Sequence, residues 1–213
     1  MLNLIDIFQS DPSRVITRGG ARFQRRELGQ LQIVSGALAA CDPRVSARDA
    51  APFAQRVPPG TYPVDVGLLV RESSGEKRVA FARVKLSGNV PVRWVNALPL
   101  GEATPDPESG EAYGYDVDAG VGCFADVTAL RAFDECGDDA TDEAIASMQK
   151  NGEQAWTWAD IRCGDDGENV IIFSSGDGDG SYASFWGLDE MGAPAWLVTD
   201  FGLFEVAWSD PSP

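Results

Sequence analysis

Alternation of apolar and polar residues is the dominant pattern along the chain, and it predicts strands. Every second residue of 62–70 is apolar, and the same spacing recurs over 79–86. The polar turn 72–76 separates the two runs, so together they predict a β-hairpin. In this hairpin the alternating apolar side chains face the core, and Arg83 is expected to point away from it.

The stretch 168–202 has a similar character and predicts three further strands. Apolar runs at 170–173, 182–187 and 195–199 are separated by turns rich in Gly, Asp and Pro. The first of these turns is interpreted as a hairpin loop that joins two neighbouring strands. Shorter strands are expected at 31–40, which a Ser-Gly turn interrupts, and at 90–97, 156–158 and 203–208.

Helical spacing is confined to short segments. Asp126 stands at the N-cap position of a helix expected over 127–135. A second helix is expected at 142–150 and a shorter one at 4–8, which is followed by a loop through Gly19 and Gly20. No alternation of strands and helices accompanies them. The pattern therefore predicts a mainly β (α+β) fold, with antiparallel sheets in a sandwich or open barrel and two or three short helices packed at one side.

The domain organisation is expected to be simple. At 213 residues, the chain has a length typical of one domain. Because the first residues are amphipathic and rich in Arg, we expect an N-terminal extension over 1–30. A single β-rich domain is expected over 31–208, and a frayed, Pro-rich tail over 209–213.

Charge is distributed unevenly between the two halves of the chain. Residues 1–100 contain 14 Lys and Arg against 8 Asp and Glu, a balance of +6. Residues 101–213 contain 3 against 25, a balance of −22, which gives the total of −16. An acidic surface repels phosphate backbones and attracts basic proteins, so nucleic acid is not expected as a partner and a basic protein is. Alternatively, the charge serves only to keep the protein soluble.

Several classes of protein are not favoured by the composition. The chain has no His, which removes Ser-His-Asp and Cys-His catalysis and His-ligated metals. None of its four Cys forms a CxxC pair. The first residues do not form a secretory signal, and no apolar run is long enough to span a membrane. A cytoplasmic protein with reduced thiols and no membrane contact is therefore expected.

Several segments together resemble one protein family. They read SGALAACDP, PPGTYPVDV, KRVAFARVKL, YDVDAGVGCFAD and FSSGDGDGSYASFWGLDEMG, in that order along the chain. In this combination the chain resembles the domain-of-unknown-function family 4241, which is found mostly in bacteria, and the likeness extends over residues 31–206. The resemblance implies a single domain and a bacterial source. Because the family has no assigned function, it implies no catalytic residue and no cofactor.

The Gly- and Asp-rich loop 174–182 is the first candidate site. Asp177, Asp179 and Ser181 match the first three ligand positions of an EF-hand loop. The match then fails, because Tyr182 replaces the required Gly and no flanking helices are expected. A looser Ca²⁺ site remains one interpretation. The other is a structural turn whose Asp side chains cap backbone N–H groups.

A wider carboxylate cluster is the second candidate site, because acidic residues also follow other predicted strands. The candidate residues are Asp116, Asp118, Asp126, Asp177, Asp179, Ser181, Tyr182, Asp189 and Asp200. If they converge, they can hold Ca²⁺ or Mg²⁺ or perform acid–base chemistry. Otherwise each caps its own turn, and no cofactor is needed.

Two functions follow from these observations. The first is a non-enzymatic bacterial interaction protein, for example an immunity or antitoxin-like protein, which binds a basic partner through the acidic C-terminal half. The alternative is a metal-dependent hydrolase or a Ca²⁺-binding protein that uses the acidic, Gly-rich loops 115–126 and 174–200. The first is the main prediction, because no standard catalytic set is present.

Overall fold

A computed structural model describes residues 4–103, 105, 112–153, 155–164, 167–206 and 208. In this part of the chain it contains two helices and twelve strands. In chain order they are α1 (Leu4–Phe8), β1 (Val15–Arg18), β2 (Ala21–Ile33), β3 (Leu38–Cys41), β4 (Gly60–Val70), β5 (Lys77–Lys85), β6 (Arg93–Asn96), β7 (Gly114–Val117), β8 (Val121–Asp126), α2 (Val127–Asn151), β9 (Trp158–Arg162), β10 (Asn169–Ser174), β11 (Gly180–Leu188) and β12 (Pro194–Asp200).

The strands form two antiparallel sheets. The larger sheet has the order β1-β2-β4-β5-β12-β11-β6. In it β6 pairs with one end of β11, and β7 pairs with the other end. The smaller sheet has the order β3-β8-β10-β9. The predicted mainly β fold with antiparallel sheets is therefore confirmed. Neither sheet closes into a barrel.

Three apolar clusters hold these layers together. The central cluster lies between the sheets and contains Leu68 and Leu197 from the larger sheet and Phe124 and Phe173 from the smaller one. A second cluster joins α2 to the outer face of the smaller sheet, and a third joins α1 to the outer face of the larger sheet. The two helices therefore cover different sheets, and strands such as β10 are buried on both faces.

A buried ion pair lies beneath α1. The expectation that Arg83 points away from the core is wrong, because α1 covers that face of β5 and leaves the residue only 2% exposed. Its Nε donates to Asp65 Oδ1 at 2.8 Å, and its guanidinium lies over the rings of Phe8 and Trp196. Desolvation lowers the pKa of Arg83, although the nearby Asp65 carboxylate opposes that change. The strand pair β4–β5 thus buries charge as well as apolar surface.

The N-terminal segment contains more strand than the sequence pattern predicts. In place of the loop expected through Gly19 and Gly20, β1 and β2 form a hairpin whose turn contains these two residues, both with positive φ. The pattern failed here because β1 has only four residues and is mostly exposed. Strand β2 then continues without a break across residue 30, where the boundary of the extension is expected.

Other local expectations also need correction. The two helices predicted after Asp126 form the single helical segment α2, which Gly137 interrupts with a φ of 58° and a ψ of −132°. No strand exists at 203–206 or 208, where residues pack as an irregular segment against the third cluster. The expected frayed tail 209–213 lies outside the described residues. None of the described helices is both long and apolar enough to cross a membrane.

The Gly- and Asp-rich loop between β10 and β11 does not form a hairpin. Strand β10 pairs with β8 and β9 in the smaller sheet, whereas β11 pairs with β12, β6 and β7 in the larger one. The loop is therefore a crossover between sheets, and the expectation that it joins neighbouring strands is wrong. The turn between β11 and β12 is a hairpin turn, as the sequence pattern predicts.

Candidate functional site

The candidate site is a cleft where β3, at the edge of the smaller sheet, approaches β7 of the larger sheet. Its volume is about 390 Å³. Three aspartates and three tyrosines give the cleft its chemistry, and Ser46, Ser184 and apolar residues of β3, of the segment 45–53 and of 97–99 complete its walls. The six are Asp49, Tyr113, Tyr115, Asp116, Asp118 and Tyr182. A concave site of this size suits a small molecule or one side chain of a partner.

Close packing of β7 against β11 positions the tyrosines. At Gly114 an added Cβ would lie 2.9 Å from the backbone carbon of Tyr182, so only Gly allows this approach. The Asn96 side chain makes two hydrogen bonds to the backbone of Tyr113. Its Oδ1 accepts from the N–H of Tyr113 at 2.8 Å, and its Nδ2 donates to the carbonyl of Tyr113 at 3.1 Å. The Tyr182 hydroxyl donates to the carbonyl of Gly178 at 2.8 Å. The aromatic wall is thus held by backbone contacts.

A buried carboxylate holds the acidic rim. Asp42 is 0% exposed, and its side chain accepts from the backbone N–H groups of Arg44, Asp118 and Ala119 at 3.0, 3.1 and 2.7 Å. Burying a carboxylate without hydrogen bonds would destabilise the fold, and the hydrogen bonds from three N–H groups offset that cost. Asp42 therefore fixes the turn that carries Asp118 at the cleft.

The two loops proposed from sequence meet beside this turn. The backbone N–H of Gly120 donates to Asp179 Oδ1 at 3.1 Å, and the N–H of Ser175 donates to the carbonyl of Gly120 at 3.1 Å. Across the strand pair, Ser181 lies opposite Asp116. The segment 115–126 is itself mostly strand, because β7 and β8 occupy it. The structure thus brings part of the predicted set together.

Negative charge in the cleft is not neutralised. The carboxylates of Asp49, Asp116 and Asp118 form no ion pair or hydrogen bond within the described residues, and no Lys or Arg of that part of the chain lines the cleft. Desolvation, with the negative charges of Glu102 and Asp116, raises the pKa of Tyr113. Tyr113 therefore stays protonated at neutral pH, and its hydroxyl adds no charge to that of the carboxylates.

Beneath the cleft lie groups that are too buried to react readily. The Tyr115 hydroxyl is buried near Thr199 but has no partner at hydrogen-bonding geometry among the described residues, and burial raises its pKa well above the usual range. Cys41 and Cys123 place their Sγ atoms 3.6 Å apart, and burial raises the pKa of Cys123 well above that of a free thiol. A protonated thiol is a poor nucleophile, so this arrangement does not favour cysteine catalysis.

The remaining predicted residues serve separate local roles. Asp126 caps α2, Asp177 pairs with Arg71 and Arg78 at 3.4 and 3.9 Å, and Asp189 accepts N–H groups within the β11–β12 turn. These hydrogen bonds, together with the Asn89 side chain, hold the pKa of Asp189 below its usual range.

Asp200 ends β12 and accepts from the backbone N–H of Gly202 and from Trp208 Nε1. Burial nevertheless raises its pKa. Together with Asp126, Asp177 and Asp189, it lies outside the cleft, so the nine predicted residues do not form one cluster. In the part of the chain that the structure describes, no three His, Cys, Asp or Glu side chains are close enough to hold a metal ion. The metal-dependent alternative stays a prediction, which a shift in melting temperature on adding EDTA, Ca²⁺ or Mg²⁺ would test.

A second feature of interest is the exposed surface of α2. Six carboxylates project from it, and in the described residues none of them forms an ion pair. We call this surface the acidic ridge, and its members are Asp134, Glu135, Asp138, Asp139, Asp142 and Glu143. The helix carries two basic residues, Arg131 and Lys150, and Cys136 is exposed beside the Gly137 break.

Nothing in the local sequence pattern singles out Asp49, Tyr113 or Tyr115 as cleft residues, because they come together only through pairing of distant strands. The ridge, in contrast, is visible in the sequence as the segment DECGDDATDE.

Comparison with known proteins gives one family match. A family model described as "Protein of unknown function (DUF4241)" matches residues 31–199, which is most of the chain. No curated protein and no solved structure matches the chain. The matched range includes both the cleft and the acidic ridge.

Proposed function

Because the chain belongs to the family described as a protein of unknown function (DUF4241), which supplies no activity, we propose a function from the distribution of charge. The proposed function is a non-enzymatic interaction protein that binds a basic protein through acidic residues of its C-terminal half. The observation that supports it is the acidic ridge, because its carboxylates are exposed and unpaired within the described residues.

The ion pairs of the described residues do not involve the acidic ridge, so the charge of the ridge is available to a partner. Most ion pairs of the described residues use acidic groups from the first hundred positions, such as Asp65 with Arg25 and Arg83. In the acidic half, Glu153 and Asp177 form ion pairs with Arg and Lys of the first hundred positions, and neither belongs to the acidic ridge. A concentrated field of one sign accelerates encounter with an oppositely charged partner, and salt weakens it.

Binding to a lysine-rich peptide tests this proposal. The triple variant D138N/D139N/D142N removes three charges of the ridge, and E72Q/E190Q/E205Q removes three exposed charges elsewhere. We expect the first variant to bind about tenfold more weakly at low salt, since each exposed charge pair contributes about 0.5 kcal/mol. The second variant should bind nearly as well as the unmodified protein. Equal losses in both variants, or equal binding of a glutamine-substituted peptide, would contradict the proposal.

The more specific form of the proposal is an immunity or antitoxin-like protein of the bacterial cytoplasm, which masks a basic partner protein. The same charge distribution supports it, because shielding a basic surface requires complementary charge over an extended area. Its test is to co-express the protein with basic proteins encoded by neighbouring genes and to isolate complexes. Growth inhibition by such a neighbour, relieved by the protein but not by its ridge variant, is the expected result. Equal relief by the ridge variant would count against it.

A further inference from the structure

We infer that the cleft is an anchor site for one arginine side chain of a protein partner. This inference rests on the proposed function, and it names the contact that would give such binding its specificity. The cleft combines three properties that a guanidinium group requires: a suitable volume, aromatic and apolar walls, and carboxylates with no Lys or Arg among the described lining residues.

The walls of the cleft match the two parts of an arginine side chain. Ala40, Ala97 and Phe53 are apolar and suit the methylene stem, because arginine buries its stem against apolar surface while its head stays polar. Tyr113 and Tyr182 offer aromatic rings for the planar head. A volume of about 390 Å³ admits one such side chain with its hydrating water.

The carboxylates of the cleft favour a positively charged ligand. Asp49, Asp116 and Asp118 are exposed at the rim and lack partners within the described residues. The basic residues of the neighbouring segment, Arg44 and Arg48, do not line the cleft. Three carboxylates with no Lys or Arg among the described residues that line the cleft disfavour phosphates, carboxylates and nucleotides. They also lie outside any arrangement of three ligands that could hold a metal ion in the described part.

Preorganisation favours arginine over lysine. The turn bearing Asp118 is fixed by the buried Asp42, and Tyr113 is fixed by Asn96. Carboxylates on a fixed backbone turn beside aromatic rings suit the planar fork of a guanidinium, which binds carboxylates in pairs and stacks on rings. An ammonium group is more strongly hydrated and gains less from such walls.

Titration with small probes tests the inference directly. The probes are N-acetyl-arginine amide, its neutral analogue N-acetyl-citrulline amide and N-acetyl-lysine amide, followed by backbone NMR shifts. We expect the arginine probe to shift signals of β7 and of 45–53, and the citrulline probe to leave them unchanged. D116N/D118N should weaken arginine binding about tenfold, since it removes two charge contacts. Glu190→Gln, which changes an exposed charge outside the cleft, should alter it less than twofold.

The contradicting results are equally specific. Equal binding of arginine and citrulline, or unchanged arginine binding by D116N/D118N, would overturn the inference, and equal binding of lysine would overturn the choice of arginine. Asp116 and Asp118 are exposed and their carboxylates bind nothing in the described residues, so the double variant is expected to fold, as circular dichroism would verify.

Failure of this inference can be separated from failure of the proposed function. If the lysine-rich peptide depends on the ridge but the arginine probe does not bind, the cleft assignment falls and the proposed function stands. If the arginine probe binds the cleft but the ridge variant still binds the peptide fully, the proposed function falls, and the arginine site stands as a property of the cleft alone.

Discussion

At the scale of single residues, Asp126 shows how one carboxylate joins distant parts of the chain. Its side chain accepts from the Thr128 backbone N–H at the start of α2, and from the backbone and hydroxyl groups of Ser35. The first contact is an N-cap and was predictable from the sequence, because it is local. The second joins residues 91 positions apart and depends on the pairing of β3 with β8.

Asp126→Asn should destabilise the protein by about 2 kcal/mol at pH 7, since it weakens hydrogen bonds to a charged acceptor. Burial alone would raise the pKa of Asp126, but hydrogen bonds from Ser35 and Thr128 outweigh it and lower the pKa below its ordinary 3.8. The stabilisation is therefore present above pH 3.8 and is lost as the pH falls through the lower folded-state value. Urea unfolding at several pH values should show the difference from the unmodified protein shrinking in acid.

Asp200→Asn is the matched control, because its pKa shift has the opposite sign. Burial raises the pKa of Asp200, so its favourable contribution is present below 3.8 and is lost as the pH rises through the folded-state value. Relative to the unmodified protein, D200N should therefore gain stability as the pH rises. A pH-independent difference for both variants would show that neither carboxylate acts through its charge.

At the scale of elements, the β4–β5 pair depends on the ion pair that α1 covers. Asp65→Asn should cost about 4 kcal/mol, because it leaves Arg83 buried without a counter-charge. Lys77→Met, which removes the more exposed contact with Glu153, should cost less than about 1 kcal/mol. Chemical denaturation measures both values.

The double variant D65L/R83M separates the two possible causes of this loss. If the cost arises from the unpaired buried charge of Arg83, replacing Asp65 and Arg83 with apolar residues should recover most of the stability, because the more exposed Arg25 keeps Glu27 as a partner. A double variant as unstable as D65N would show instead that the ion pair itself is favourable, or that the apolar side chains do not fit beneath α1.

Whether the pairing of two strands could be predicted depends on how far apart they lie along the chain. The β4–β5 and β11–β12 hairpins were predictable, because a short turn limits which strands can pair. The β10–β11 loop was wrongly predicted to be a hairpin turn, since Gly and Asp suit a crossover as well as a hairpin. The burial of β10 on both faces distinguishes the two cases, but it depends on sheets formed by distant residues.

The same reasoning applies to the candidate site. Asp116, Asp118 and Tyr182 were predicted and lie together in the cleft, because turns and strand ends commonly carry polar side chains. The sequence left open whether all the acidic candidates converge or cap separate turns, and Asp126 and Asp177 meet partners outside the cleft. Only the pairing of β7 with β11 decides which acidic residues share a surface.

At the scale of the whole molecule, the uneven charge opposes folding. With a net charge of −16 and unpaired carboxylates on α2, repulsion within the folded state should decrease as salt is added. We expect the melting temperature to rise by about 3 °C between low and moderate NaCl, which corresponds to about 1 kcal/mol for a chain of this size. Differential scanning calorimetry measures this change.

The variant D138N/D139N/D142N should show a smaller rise, because it carries less charge on α2. A melting temperature that does not depend on salt in either protein would mean that the acidic residues lie too far apart to repel one another appreciably.

The break at Gly137 has a practical consequence. Beside it Cys136 is exposed, whereas Cys41, Cys123 and Cys163 are buried, and burial raises the pKa of Cys163 to about 12. A maleimide fluorophore should therefore attach at one position of the native protein, in the middle of the helix that carries the carboxylates. The natural chain thus offers a reporter whose emission would respond when another macromolecule settles on that helix, without any engineered thiol.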